Sequence, residues 1–200
     1  KLRKVIASDV RRLDRLITDI SNATRLEAET ARSPNETVII SKLLGELAET
    51  YDAIRNDGDP RVTFKLEDGT SVLKVRGREG PLGQVFRNLI ENARSFSPEE
   101  GTVAVSGRNV VLSGEPFAEI SVEDEGPGIP ADKLEKVFER FYTDRPKGAK
   151  FGLNSGLGLS IVKQLIDSHR GRVEASNRVD GDGNVTGARF TVWLPAIEDA

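Results

Sequence analysis

Between Pro81 and Ser95, Leu82, Val85, Phe86, Leu89, Ile90 and Ala93 recur every three or four residues. That spacing predicts a helix with one apolar stripe. Residues 1 to about 31 contain neither Gly nor Pro, and Ile6, Val10, Leu13, Ile17 and Ile20 step by four, three, four and three. This is the seam of a helical bundle or coiled coil, with Arg11, Arg12, Asp14, Arg15 and Asp19 on its other faces. A helix of that length cannot hide the seam alone, so a partner helix is expected; the alternative is a helix packed on its own domain. Ser33-Pro34-Asn35 ends it, because proline lacks a donor and pushes its predecessor out of helical space. A domain boundary is placed there, dividing the chain into 1–33 and 34–200.

Downstream the period changes. Thr37–Ile40 is β-branched and reads as an edge strand. Ser41 is the expected N-cap of a helix from Lys42 to about Arg55, with Leu43, Leu44, Leu47 and Ala48 inward. Asn56-Asp57-Gly58-Asp59-Pro60 is turn chemistry. Arg61–Glu67 alternates Val62, Phe64 and Leu66; with Asp68-Gly69 following, it is expected to form a hairpin with Ser71–Val75. Thr102–Leu112 and Phe117–Asp124 read as strands, and Ala131–Phe138 as a short helix. Thr143–Ser155, rich in Gly, Pro and Lys, is expected to be a mobile loop. A helix then opens at Gly156, with Leu157, Ile161, Leu165 and His169 on one side. Gly171–Ser176 and Ala188–Leu194 are closing strands around the Asp180-Gly181-Asp182-Gly183 turn.

Composition adds limits. With 37% hydrophobic and 30% charged residues, the 200-residue chain reads as soluble and globular. A net charge of −3 gives no reason to expect nucleic acid. The absence of cysteine excludes disulfides, zinc thiolates and thiol nucleophiles. No apolar run approaches membrane-spanning length. A start at Lys1 suggests a fragment, so any membrane link is expected through segments outside it.

Candidate chemistry sits at three places. Asn88 and Asn92, four apart, share a helix face beside Glu91 and offer oxygens to a hard cation or amides to an anion; the alternative is a polar face that only meets water. Asp124 leaves a strand into Gly126-Pro127-Gly128, where a carboxylate can accept from an amino group and bare backbone admits a flat ring; a simple turn is the alternative. Gly156 and Gly158 at a helix start expose N–H groups and the positive end of the helix dipole, suited to an anion.

Taken in order, an Asn-bearing helix, Asp-x-Gly-x-Gly, Phe-x-x-Phe (Phe138 and Phe141) and Gly-x-Gly at a helix start resemble the conserved boxes of the catalytic, ATP-binding domain of sensor histidine kinases. Arg12-Leu13-Asp14-Arg15-Leu16-Ile17 and Arg25-Leu26-Glu27 resemble the second helix of that family's dimerisation domain. The run Glu91-Asn92-Ala93-Arg94-Ser95-Phe96-Ser97-Pro98 is nearest to alphaproteobacterial envelope-sensing members. The resemblance implies a Bergerat fold: an α/β (α+β) two-layer sandwich, a mixed sheet with helices on one face, preceded here by the long N-terminal helix.

It also implies roles. Asn92 would hold Mg²⁺ on the phosphates of ATP, with Asn88 and Glu91 assisting catalysis. Asp124 would accept from the adenine amino group, with Gly126, Gly128 and Ile129 bordering the ring. Ser155, Gly156, Leu157, Gly158 and Leu159 would line the phosphate side, and Phe138, Phe141 and Tyr142 would anchor a lid. ATP-hydrolysing relatives carry Glu four residues before the metal Asn; here that residue is Asn88, an amide that cannot take a proton at neutral pH. Transfer to a histidine is therefore expected, followed by relay to a response regulator. His169 is expected to be structural, at a helix end, so the acceptor is expected upstream of Lys1, on the first dimerisation helix of a homodimer at the cytoplasmic face of a membrane sensor.

Departures from the pattern are also legible. Ser95 stands where many members have Lys or Arg, leaving Arg94 one step off. Thr143 stands where Arg commonly follows the Phe-Tyr pair, with Arg145 or Lys147 as substitutes. Gly187-Ala188-Arg189 is a reduced final glycine box and is not read as a site. These departures support an alternative, a non-catalytic nucleotide-sensing or dimerisation module; an ATPase clamp is a third reading, disfavoured by Asn88 and the N-terminal seam.

Overall fold

The computed structural model describes residues 35–67, 69–142 and 156–197. The predicted N-terminal helix, the loop bearing Arg145 and Lys147, and Ser155 lie outside them.

The chain runs β1 (Glu36–Ile39), α1 (Ile40–Ala53), β2 (Arg61–Leu66), β3 (Lys74–Gly77), α2 (Glu79–Phe96), β4 (Thr102–Leu112) and β5 (Glu115–Glu123). Two 3₁₀ turns (Ala131–Lys133 and Lys136–Phe138) follow, then α3 (Gly158–Ser168), β6 (Arg172–Val179) and β7 (Val185–Pro195). A five-stranded sheet has the order β2-β4-β5-β7-β6, parallel between β2 and β4 and antiparallel elsewhere. β1 and β3 form a separate antiparallel pair.

Alternation decides which face is buried. Phe64, Val105, Val122, Phe190 and Ala175 fall in register across all five strands, and Gly107, Ile120, Val192 and Val173 form the next row. The larger members of both rows pack in the core. On α2 the whole predicted stripe, Leu82 to Ala93, is fully buried against this face. Burial of each larger side chain contributes about 1.5–3 kcal/mol, so packing, more than helix propensity, fixes how α2 is rotated about its axis. Pro81 is tolerated because it falls in the first turn, where N–H groups have no helical partner.

Three local expectations differ from what is found. The segments after Asp68-Gly69 do not pair with β2 as a hairpin. Leu73 and Val75, not Val72 and Val75, are the period-two pair, and both are buried. Val75 faces Val38 in β1, while the edge of β2 is taken by β4 through the long crossover that a parallel pair requires. Ser41 does not cap α1, whose first turn has no side-chain cap; its hydroxyl instead accepts from the Leu73 amide at 3.3 Å. Ala131–Phe138 is two 3₁₀ turns and not one helix, and Val137 is its buried anchor.

The same period-two count positions the chemistry. Ala118, Ile120 and Val122 face inward, so Asp124, two residues on, continues the inward row just past the end of β5. A carboxylate is thereby carried to the buried face by strand geometry alone.

Candidate functional site

Asp124 is 2% exposed. Its Oδ1 accepts from the amides of Gly126 and Ala188, both at 2.9 Å. Its own amide donates to the Ala188 carbonyl at 3.0 Å, and its carbonyl accepts from Arg178 Nη1 at 2.8 Å. Oδ2 takes no bond among the described residues and is the oxygen left for an outside donor. Burial pushes the carboxyl above the ordinary carboxylate value, opposed by the Ala188 and Gly126 amides and the Arg178 charge.

The loop beyond it has no room for a side chain at either glycine. A Cβ on Gly126 would lie 2.7 Å from the Phe96 carbonyl oxygen. Gly128 has φ +76°, and a Cβ there would fall 2.8 Å from Asn177 Oδ1 and also strike Val185. Ile129 is partly buried against the core, and both its amide and its carbonyl are bonded to Asn177.

Asn88 Nδ2 donates to the carbonyl of Gly158, the first residue of α3, at 3.2 Å. Asn88, Asn92 and Phe96 follow at four-residue spacing along one side of α2. Asn88 meets α3 at one end of this run, and Phe96 meets the Gly126 loop at the other. Asn92 is thus bracketed between the start of α3 and the Asp124 loop, with its carboxamide free of bonds among the described residues. Among the described residues no side chain caps α3, which leaves its leading N–H groups without a side-chain acceptor. Gly156 has φ +76°, its carbonyl accepts from the Phe141 amide at 2.9 Å, and Leu157 is buried. Leu159 and Tyr142 pack at the core's edge. Phe138 meets Phe190 edge-on at 6.1 Å between centroids, whereas Phe141 is 63% exposed with φ +65°.

Other predicted residues are turned elsewhere. Glu91 lies about a quarter-turn from Asn92 and accepts from the Tyr51 hydroxyl at 3.2 Å. Arg94 pairs with Asp59 at 3.3 Å and lies over the Tyr51 ring at 5.1 Å. Ser95 Oγ donates to the Asn92 backbone carbonyl at 2.7 Å. His169 ends α3, 8% exposed, with Nδ1 2.7 Å from the Leu165 carbonyl; burial lowers its pKa.

Two contributors escape motif reading. In the reduced box, Ala188 donates its amide to Asp124 Oδ1 and accepts from the Asp124 amide, and Gly187 leaves space for the Asp124 carbonyl where a Cβ would collide. Asn177, opposite Ala188 in the β6–β7 register, pins Ile129. A regular hairpin closed at Asp180–Asn184 would set 177 against 187; a register shift between Arg178 and Val179 moves the partner to 188, and no motif marks either residue.

The donor set suits a nucleotide with a hard cation: an oxygen-bearing carboxamide, helix amides without a side-chain cap, two glycines where a side chain would collide, and one carboxylate oxygen without a described partner. The family model described as histidine kinase-, DNA gyrase B-, and HSP90-like ATPase matches residues 77–198. The sensor protein ChvG of Rhizobium meliloti (strain 1021) is 47% identical over 202 residues, covering 98% of this chain and 34% of its own. The chain therefore spans about a third of the length of the curated relatives it matches. Full-length ShkA, solved in complex with AMPPNP, superposes with TM-score 0.73 at 25% identity, covering 98% of this chain and 38% of that one. Histidine kinase ThkA, solved with response regulator protein TrrA, gives 0.69 at 25% identity, covering 98% and 52%.

Proposed function

Since the chain belongs to the histidine kinase-, DNA gyrase B-, and HSP90-like ATPase family, as the ATPase domain of a sensor histidine kinase, we propose that it transfers the γ-phosphate of ATP to a histidine outside these 200 residues. The phosphate then passes to a response regulator; the ThkA–TrrA complex supports a partner of that kind. The module works in this reading as half of a homodimer joined through residues 1–33, on the cytoplasmic side of a membrane sensor.

One observation carries the choice of transfer over hydrolysis. The residue one turn before Asn92 is an amide, Asn88, and its nitrogen is spent as a donor to Gly158. An amide so engaged takes no proton from water. Glu91, the carboxylate adjacent to Asn92, is held on another side of α2 by Tyr51. Asn92 would hold Mg²⁺ through its carboxamide oxygen, with the Asn88 oxygen beside it. The ion, when bound, neutralises phosphate charge and orients the transferring group. Asp124 selects adenine through Oδ2, and the first amides of α3 face the phosphates.

The alternative, a module that senses nucleotide without catalysis, is favoured by Arg94 and Ser95, both committed to other partners. One experiment separates them. The chain is mixed with ATP·Mg²⁺ and a separate polypeptide carrying the first dimerisation helix. Phosphohistidine on that polypeptide is expected; ATP binding without transfer supports the sensing module, and steady phosphate release without acceptor supports a hydrolase. Label on His169 would overturn the assignment of the acceptor.

A further inference from the structure

Asp124 and Ile129 are the two ends of the glycine loop; Asp124 is fastened to β6 and β7, and Ile129 to β6. At the first end, Ala188 exchanges two backbone-level bonds with Asp124, and Arg178 Nη1 reaches the Asp124 carbonyl. At the second, Asn177 Oδ1 accepts from the Ile129 amide at 2.8 Å and Asn177 Nδ2 donates to the Ile129 carbonyl at 2.7 Å. Asn177 and Ala188 are register partners, so one cross-strand pair fixes both ends. Gly128, at φ +76°, bends over Asn177 with no space for a Cβ.

We infer that Asn177 is a positioning residue for the adenine end of the site, its doubly bonded carboxamide holding the Gly126–Ile129 loop open at the height where Asp124 Oδ2 meets the base. This rests on the ATP reading above and extends it. With both Ile129 backbone groups consumed by Asn177, Ile129 offers a ligand only its side chain, and polar reading of the purine falls to Asp124. A loop containing Gly-Pro-Gly, if unpinned at its far end, would have to be ordered by the ligand itself, which weakens binding.

The test uses calorimetric ATP binding, with and without Mg²⁺, on the wild-type chain and on Asn177→Ala and Asn177→Asp. Asp has the same shape and keeps an acceptor for the Ile129 amide but brings no donor to its carbonyl. Both variants are expected to bind ATP about tenfold more weakly, by the same factor in Mg²⁺ and in chelator. Wild-type affinity in Asn177→Asp, or a loss confined to the Mg²⁺-dependent increment, would overturn the inference. Amide exchange in the nucleotide-free wild type gives a check independent of either variant's folding: the Ile129 amide is expected to be slow, and fast exchange would sink the clamp. If the wild type binds no ATP at all, the nucleotide reading fails; if it binds and Asn177→Asp matches it, only the role of Asn177 fails.

Discussion

The two ends of the site are built by different means. At the base end, β5, β6 and β7 supply Asp124, Asn177 and Ala188, and every one of their loop contacts is already made: two amides on Oδ1, two bonds on Ile129, one guanidinium on the Asp124 carbonyl. At the phosphate end, α2 and α3 meet through Asn88 and the Gly158 carbonyl, while the Asn92 carboxamide stays unengaged and Arg94 and Ser95 are turned to other partners. A sheet can prepare a binding edge during folding because its ladder fixes neighbouring backbones in register. Two helix surfaces leave the arrangement to be completed by the ligand and its ion. In the proposed reading, purine selection is thus preorganised and phosphate affinity is conditional.

The largest effect should come from breaking the conditional end. Asn92→Ala removes the proposed metal oxygen, a loss of several kcal/mol, or on the order of 1,000-fold in ATP·Mg²⁺ affinity. The melting temperature should not move, since the side chain holds no described partner. Equal affinity with and without Mg²⁺ is the expected signature in calorimetry; an intact Mg²⁺ increment would assign the ion elsewhere. Asp124→Asn should come next. Its oxygen can still accept from Gly126 and Ala188, but the amide nitrogen then faces the adenine amino group donor to donor. About 10- to 100-fold weaker ATP binding is expected, with the Mg²⁺ increment preserved and preference for ATP over GTP reduced. An unaltered preference would remove the purine role from Asp124.

Arg94→Ala tests the contrast from the other side. Its guanidinium lies between Asp59 and the Tyr51 ring, both partly shielded, and their loss should cost about 1 kcal/mol of stability in denaturant titration. ATP affinity should change by less than about twofold. A loss nearer tenfold would mean that the arginine swings to the phosphates when nucleotide binds, and would make the phosphate end better equipped than its resting contacts indicate.

These contrasts also explain which parts were legible beforehand. Helix-face residues announce themselves: the stripe from Leu82 to Ala93 and the position of Asn88 relative to Asn92 follow from a 3.6-residue period. Asp124 was legible for a related reason, since its place on the inner face follows from counting by twos along β5. Partners across strands were not, because register depends on which strands pair. Ser71–Val75 reads as a hairpin arm although Leu73 and Val75 carry the true period, and a thinned glycine motif such as Gly187-Ala188 says nothing of backbone bonds. Glu91 is expected from the resemblance to assist Asn92, and Arg94 stands one step off the usual phosphate contact; in the structure both contact Tyr51, a partner that no motif announces. The family match covers 77–198, which includes all of these elements except β1, α1, β2 and most of β3.

The smallest expected effect concerns protons at the base end. Burial raises the folded-state pKa of Asp124 above its ordinary 3.8. Below that ordinary value both folded and unfolded chains hold the proton. As pH rises past it, the unfolded carboxyl ionises first while the folded one retains its proton, so the folded state binds more protons and stability falls with pH until the raised value is passed. Asp124→Asn does not titrate. Its stability relative to the wild type should therefore climb from about pH 4 and level off once the native carboxyl has ionised, as read from urea midpoints at fixed ionic strength. A difference that stays flat with pH would mean the carboxyl is not destabilised by burial. ATP should act in the opposite direction to burial, because an amino donor on Oδ2 favours the ionised form and lowers the pKa. Binding in this window should then release protons, detectable by calorimetry in buffers of different ionisation enthalpy. If Asn92→Ala abolishes the Mg²⁺ increment yet leaves the proton release per bound ATP intact, the two ends act independently; if both vanish together, they are one coupled site.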